Sequence, residues 1–306
     1  MRSFLYLGPI GFEATLFISR FTTMKIIECP RDAMQGLEKF IPTVDKVRYL
    51  NQLMKVGFDT IDAGSFVSAK AIPQMSDTAE VMEKVELAGS NTKLLAIVAN
   101  ARGAVEASRH AAVTYLGFPL SLSETFQMRN TNKSIPEALN SLNDIQEICS
   151  KSNKTLVTYI SMGFGNPYGD PYDMDVAGKF VDILSTLEVK IVSLADTIGI
   201  SRPEQISYLF TNLKCDFPSI EFGVHLHAPP AKAIEKIEAA FEAGCNRFDG
   251  AIKGFGGCPM AEDELVGNLA TESVLAYLDS KGIDTHINQI EFARAVALAE
   301  EMFPGN

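Results

Sequence analysis

The sequence predicts an α/β fold, a closed (β/α)8 TIM barrel with an additional C-terminal helix, on three observations. After Met24, short β-branched or apolar runs alternate eight times with longer segments of helical spacing, the pattern of a parallel sheet covered by helices. No GxGxxG follows the first run, so the glycine-rich turn of a doubly wound dinucleotide sheet is missing. Polar and ionisable residues gather just after the apolar runs, which in a barrel places them on the one rim where active sites are built.

Taken in order, the first strand covers residues 25–29 and is followed by a helix over 44–55 that Gly57 stops. Strands over 60–63, 94–98 and 113–118 are followed by helices over 74–87, 101–109 and 136–152. Strands over 155–161, 190–194 and 221–227 are followed by helices over 173–186, 203–213 and 230–243. Pro203 and Pro230 suit helix first turns, where no backbone N–H is required, and Gly244 suits a helix stop. The eighth strand, 247–252, precedes a helix over 262–281, and 287–302 makes the extra amphipathic helix, placed on the barrel or on a partner subunit.

Residues 24–306 are expected to form a single barrel domain, and 1–23 an N-terminal extension. The extension is interrupted by Gly8, Pro9, Gly11 and Glu13, so it suits neither a membrane span nor a signal peptide. Because Met24 immediately precedes the first strand, a mis-assigned translation start and a genuine N-terminal element both remain open.

The 306 residues carry a formal net charge of -11, which lacks the basic footprint of a nucleic-acid or anionic-membrane binder. An anionic substrate must therefore be held by a few local cations. Cys29, Cys149, Cys215, Cys245 and Cys258 are odd in number and form no CxxC pair, which suggests a reducing compartment, the cytoplasm by default.

His225 and His227 stand two residues apart at the end of an apolar run, so both imidazoles share one strand face. They are either metal ligands or hydrogen-bonded strand histidines. Asp32 and Asn268 would complete a mixed nitrogen and oxygen set suited to Mg2+ or Mn2+, with Zn2+ also admissible. Arg31 is either a surface ion-pair partner of Asp32 or a guanidinium that stabilises a developing enolate. Asp62 either holds that arginine or caps a strand end, and Asp196 either orients a ligand or caps the next helix. Asn100 follows the third strand. Cys258, within Gly254-Phe255-Gly256-Gly257-Cys258-Pro259, is either a small loop residue or a general acid or base with a tunable thiol. The other four cysteines suit packing, and His110 and His286 suit structural or exposed positions.

Six motifs stand in order between Met24 and about Glu300: Pro30-Arg31-Asp32 with Gln35; Ser65-Phe66-Val67-Ser68 with Pro73-Gln74-Met75; Ser193-Leu194-Ala195-Asp196-Thr197-Ile198-Gly199; His225-Leu226-His227; Gly256-Gly257-Cys258-Pro259; and Gly267-Asn268-Leu269-Ala270-Thr271-Glu272. Together they resemble the hydroxymethylglutaryl-CoA (HMG-CoA) lyases, among the barrel metallolyases that include isopropylmalate and homocitrate synthases. The resemblance implies a metal held by Asp32, His225, His227 and Asn268, with Arg31 on the thioester enolate. It implies retro-Claisen cleavage of HMG-CoA or a close analogue to acetoacetate and acetyl-CoA, with His225 or Asp32 assisting deprotonation and Cys258 assisting protonation. Arg31, Cys258, His225 and Asp62 are thus the candidate catalytic residues, Gln35, Ser65, Asn100 and Asp196 the candidate substrate-binding ones. The partners implied are an acyl-CoA and a second copy in a homodimer.

Several positions depart from the family's pattern. Asp62 stands where glutamate is usual, one methylene shorter and at risk of not reaching Arg31. Ala228-Pro229-Pro230 follows the second histidine where aspartate is usual, Ala33 replaces a glycine, and Gly163-Phe164-Gly165-Asn166-Pro167 lacks a common cysteine. The segment before Pro30 is one residue shorter and that between Cys258 and Asn268 one residue longer. These changes surround the substrate and leave the metal set intact. An aldolase or a condensing enzyme acting on another oxoacid is the alternative within enzymes, and an inactive barrel serving as a binding protein is the alternative outside them.

Overall fold

The computed structural model describes residues 23–257 and 266–303. Eight parallel strands close into one barrel in sequence order: β1 (Lys25–Glu28), β2 (Thr60–Ser65), β3 (Lys93–Ile97), β4 (Val113–Ser121), β5 (Thr155–Ser161), β6 (Ile191–Asp196), β7 (Glu221–Leu226) and β8 (Arg247–Gly250). The ring is sealed where β1 lies against β8, with Lys25 opposite Arg247 and Glu28 opposite Gly250. The strands expected from the apolar runs agree to within a few residues at every position, because both faces of each strand are buried and little alternation is required.

The helices are α1 (Pro30–Gln35), α2 (Thr43–Leu53), α3 (Thr78–Lys84), α4 (Ala101–Ser108), α5 (Glu124–Thr131), α6 (Ile135–Ser152), α7 (Met174–Thr186), α8 (Pro203–Asp216), α9 (Pro230–Glu242), α10 (Thr271–Ser280) and α11 (Gln289–Met302). Pro203 and Pro230 open α8 and α9, and Gly57 and Gly244 take φ of 94° and 84°, the left-handed values a chain reversal after a helix needs. The extra helix, α11, packs on α2: Phe292 meets the Phe58 ring edge-on at 6.2 Å, and Gln52 Nε2 donates to the Glu291 backbone at 2.9 Å.

Two helical expectations are corrected, and two helices are unexpected. The helix expected over 74–87 splits into a single 3-10 turn, Pro73–Met75, and α3, with Thr78 Oγ1 donating to the Met75 carbonyl at the junction. Of the helix expected over 262–281, residues 262–265 lie outside the described residues and 266–270 are not helical, because the Asn268 backbone bridges to His227 and Ala270 to Ala251; α10 follows from Thr271. The helices α1 and α5 have no counterpart among the expected segments. The proposed extension lies, except for Thr23, outside the described residues.

One apolar shell fills the space between strands and helices, including Leu50, Leu116, Phe210 and Phe248. A second, smaller cluster fills the barrel interior, where Leu95, Ile97, Tyr115, Val157, Tyr159 and Ile191 pack together. The interior also encloses polar groups, Arg247 and Asp249 among them, at 0% and 2% exposure. Among the described residues, no helix is long and apolar enough to cross a membrane.

Candidate active site

The site is assembled where β1, β7 and β8 end, with Asp62 reaching it from the middle of β2 and not from the strand end that the sequence suggests. Directly after β1 the chain turns into α1, with Pro30 at a position that needs no N–H. Its single turn and a half presents Arg31, Asp32 and Gln35 as one network. Asp32 Oδ1 accepts from Arg31 Nη1 at 2.7 Å and from Gln35 Nε2 at 2.8 Å, and Arg31 Nη1 also donates to Gln35 Oε1 at 2.8 Å. Arg31 Nε donates to Asp62 Oδ2 at 3.0 Å, with Nη2 on the same oxygen. The shorter carboxylate at position 62 therefore reaches the guanidinium.

His225 lies in β7 and His227 just past its end, with their Nε2 atoms 3.4 Å apart. The Asn268 backbone bridges to His227, and Leu269 N donates to the Leu226 carbonyl at 3.0 Å, so the segment after β8 is stitched to the end of β7. Asn268 Nδ2 then donates to Asp32 Oδ2 at 2.8 Å and to the Phe255 carbonyl at 2.9 Å. Gly256 makes this approach possible. Its φ is +89°, and a Cβ there would sit 2.7 Å from the Asp32 carbonyl oxygen.

The electrostatics suit a cation between these groups. Burial alone would raise the Asp32 carboxyl, but Arg31 together with both histidines and the Asn268 amide outweighs it and holds Asp32 below the usual range. Burial, reinforced by His225, pushes His227 down to about 4, so its imidazole is neutral at pH 7. For His225 burial acts downward too, yet its hydrogen bond to Asp249 and the charges of Asp249 and Asp32 leave it raised. Burial also opposes the Arg31 charge, and Asp62 and Asp32 overcome that opposition.

One donor atom each from Asp32, His225 and His227 lies within 4.8 Å of the others. Ligand bonds of about 2.1 Å put neighbouring ligand atoms about 3.0 to 3.4 Å apart around one ion, octahedral to tetrahedral. The 3.4 Å between the two imidazole nitrogens falls at the edge of that interval, and both nitrogens face each other without an intervening side chain. The residues fit a divalent ion.

Arg31, Asp32, Gln35, Asp62, His225, His227 and Asn268 are brought together. Three further candidates make their hydrogen bonds outside this network. Asn100 caps α4, accepting from Gly103 N at 3.0 Å. Ser65 Oγ accepts from Val67 N at 3.2 Å within its own turn. Asp196 accepts from Ile200 N, Ser201 N and Ser201 Oγ, and from the fully buried Lys236 Nζ at 2.7 Å. Lys236 also donates to the His227 carbonyl at 3.0 Å, so this ion pair supports the histidine from behind. Cys258 lies outside the described residues.

Two residues near the site are missed by sequence reasoning. Lys236 hides within an ordinary amphipathic helix. Asp249, whose Oδ2 is 3.2 Å from His225 Nδ1, carries a visible signal: a carboxylate in the middle of a buried strand.

The HMGL-like family profile matches residues 24–298 of this barrel. The chain belongs to the HMGL-like family. Among its relatives, hydroxymethylglutaryl-CoA lyase YngG of Bacillus subtilis is 32% identical over 275 residues, 89% of this chain and 90% of the relative. A crystal structure of an HMG-CoA lyase from Bacillus subtilis superposes with a TM-score of 0.86 at 30% identity, covering 92% of this chain and 94% of that one. Another HMG-CoA lyase, from Acinetobacter baumannii in complex with coenzyme A and 3-methylmalate, gives a TM-score of 0.85 at 27% identity, covering 92% and 91% of the two chains. In this HMGL-like chain the described residues of the six motifs fall on α1, strands β2, β6 and β7, the loops that follow strands and the start of α10, around the rim on which barrel chemistry is built.

Proposed function

We propose that the protein is a divalent-metal-dependent carbon–carbon lyase that cleaves 3-hydroxy-3-methylglutaryl-CoA to acetoacetate and acetyl-CoA. The observation that carries the reading is the convergence of Asp32, His225 and His227 on one point, beside an arginine with two carboxylate partners, in a chain of the HMGL-like family. Named HMG-CoA lyases align with most of its length.

Asp32, His225, His227 and Asn268 would hold the ion, Mg2+ or Mn2+ by the hardness of the carboxylate and amide oxygens. When bound, the ion supplies Lewis acidity and fixed positive charge for substrate oxygens. Of the two candidate bases, Asp32 receives the proton of the substrate's tertiary hydroxyl, since His225 has Nδ1 on Asp249 and Nε2 turned to the ligand cluster. The bond between C2 and C3 breaks, C3 becomes the ketone of acetoacetate, and the electron pair stays on C2 as the acetyl-CoA enolate. Arg31 donates to the thioester oxygen as that negative charge develops, and Asp62 keeps its guanidinium aimed. Cys258 assists protonation of C2, and Gln35 and the rim loops line the substrate. Residues 24–306 act as one domain, in the cytoplasm and as a homodimer.

Purified protein with Mg2+ or Mn2+ is expected to release acetoacetate from HMG-CoA and to stop when the ion is chelated. Cys258→Ala is expected to slow turnover severely while leaving metal affinity intact. Failure to cleave HMG-CoA and its close analogues under both metals sinks the assignment.

A further inference from the structure

Asp249 is the register partner of His225 across β7 and β8, so the sheet itself sets their alignment. Its Oδ2 lies 3.2 Å from His225 Nδ1, and its side chain is 1% exposed against 13% for the histidine. We propose that Asp249 is the positioning residue for His225: it fixes the imidazole hydrogen on Nδ1 and turns Nε2, as a lone pair, toward Asp32 and His227.

The chemistry leaves few alternatives. A carboxylate only accepts hydrogen bonds, so the short approach to Nδ1 requires the N–H there. A neutral imidazole has one N–H and one lone pair, and the lone pair is then on Nε2. That nitrogen is the one facing His227 Nε2 at 3.4 Å. The ring is also held in orientation, because Tyr159 meets it edge-on at 5.8 Å.

The two histidines differ in this respect. His227 Nδ1 is buried and makes no hydrogen bond to the protein, so nothing among the described residues fixes its tautomer. Its backbone is pinned instead, by Lys236 on its carbonyl and by the bridge to Asn268. Thus one ligand is fixed through its ring and the other through its main chain. Asp249 is set in place by the strand, two residues after the fully buried Arg247 on the same face, and its second oxygen, Oδ1, makes no hydrogen bond among the described residues.

The consequence for affinity rests on the metal reading above; the tautomer assignment does not. A carboxylate behind a ligating histidine removes the need to reorient or deprotonate the ring on binding, and loss of such a partner weakens metal binding roughly 10- to 100-fold. The test uses the full chain, stripped of metal, with 15N-labelled histidine at alkaline pH, and His225→Gln to assign the signal among four histidines. Long-range proton–nitrogen correlation should show His225 as the Nδ1–H tautomer in the unmodified protein. In Asp249→Ala that preference should be lost. Mn2+ titrations, read by the paramagnetic resonance of the free ion, should show affinity falling by the stated factor in Asp249→Ala and by less in the isosteric Asp249→Asn.

An Nε2–H tautomer in the unmodified protein overturns the proposal, whether or not the variants fold. So does an Asp249→Ala protein that keeps both tautomer and affinity. If the unmodified protein shows the Nδ1–H tautomer and loses it in Asp249→Ala, yet binds no Mn2+, the metal assignment fails while the positioning role stands.

Discussion

Arg31 and Asp62 meet side-on, with the guanidinium Nε and Nη2 both directed to one carboxylate oxygen and Nη1 left for Asp32 and Gln35. This fork cannot be reproduced by a lysine, whose ammonium is a single point of charge. Arg31→Lys is therefore expected to lower kcat about 10²- to 10³-fold, the cost of losing one preorganised donor to a developing anion. Steady-state cleavage of HMG-CoA measures it, and turnover within threefold of the parent would remove Arg31 from the chemistry.

Glu28 gives a pH dependence whose sign is fixed. It is buried behind β1 and accepts from Ile252 N at 2.8 Å and Thr271 Oγ1 at 2.6 Å. Burial lifts its carboxyl from 4.5 to about 8, against the downward pull of those two bonds. The folded state thus holds a proton that the unfolded state has lost between those values. Stability from Glu28 is full below about 4.5 and is lost as the pH rises through about 8. Urea titrations across this window should show a decline on the order of a few kcal/mol, and Glu28→Gln should flatten it. Parallel slopes in the two proteins would refute the assignment.

Lys236 and Asp196 form an ion pair in which each side chain is only 1% exposed. Replacing lysine by methionine keeps the volume and strands the carboxylate, so Lys236→Met should lower unfolding free energy by about 3 kcal/mol. The three other hydrogen bonds to Asp196 keep the loss at the low end of that class. Chemical denaturation provides the measurement. Restoration of stability by a second change, Asp196→Leu, is expected if the buried charge is the cause.

Gly256→Ala should disturb the site from outside it. The position has φ of +89° and no room for a methyl group beside the Asp32 carbonyl, so α1 or the loop must move. Mn2+ affinity is expected to fall roughly tenfold, the scale of changes in a ligand's support, with secondary structure by circular dichroism unchanged. Calorimetric titration that finds parental affinity would show the loop and the ligand helix to be independent.

Much of this architecture is legible in the amino-acid sequence. The strands are visible because Lys25-Ile26-Ile27-Glu28 and its counterparts are compact apolar runs between turn signals, and the histidine pair because strand periodicity alone puts both rings on one side. The helix carrying Arg31, Asp32 and Gln35 is not, since six residues are too few to display a helical period and its start is marked only by Pro30. The helix expected over 262–281 fails at residues 266–270 for the opposite reason. Its acidic and alanine-containing sequence suits a helix, and only pairing with His227, distant in the chain, draws Asn268 into extended backbone. Asp196 presents equal arguments for ligand and cap, whereas it holds Ile200 and Ser201 in the loop ahead of α8 and pairs with a lysine on another element, a contact no local pattern encodes. The pairing of Asp249 with His225 depends on strand register, which no local pattern encodes.

The barrel closes where its first and last strands meet, and the candidate ligands straddle that closure: Asn268 donates to Asp32 across 236 residues of sequence. During synthesis, Asp32 emerges early and waits for a partner from the last part of the chain. An ion joining the two sides acts as a clasp on the completed ring, favouring it over every open intermediate. Metal supply would then govern how much finished protein survives as well as how fast it turns over.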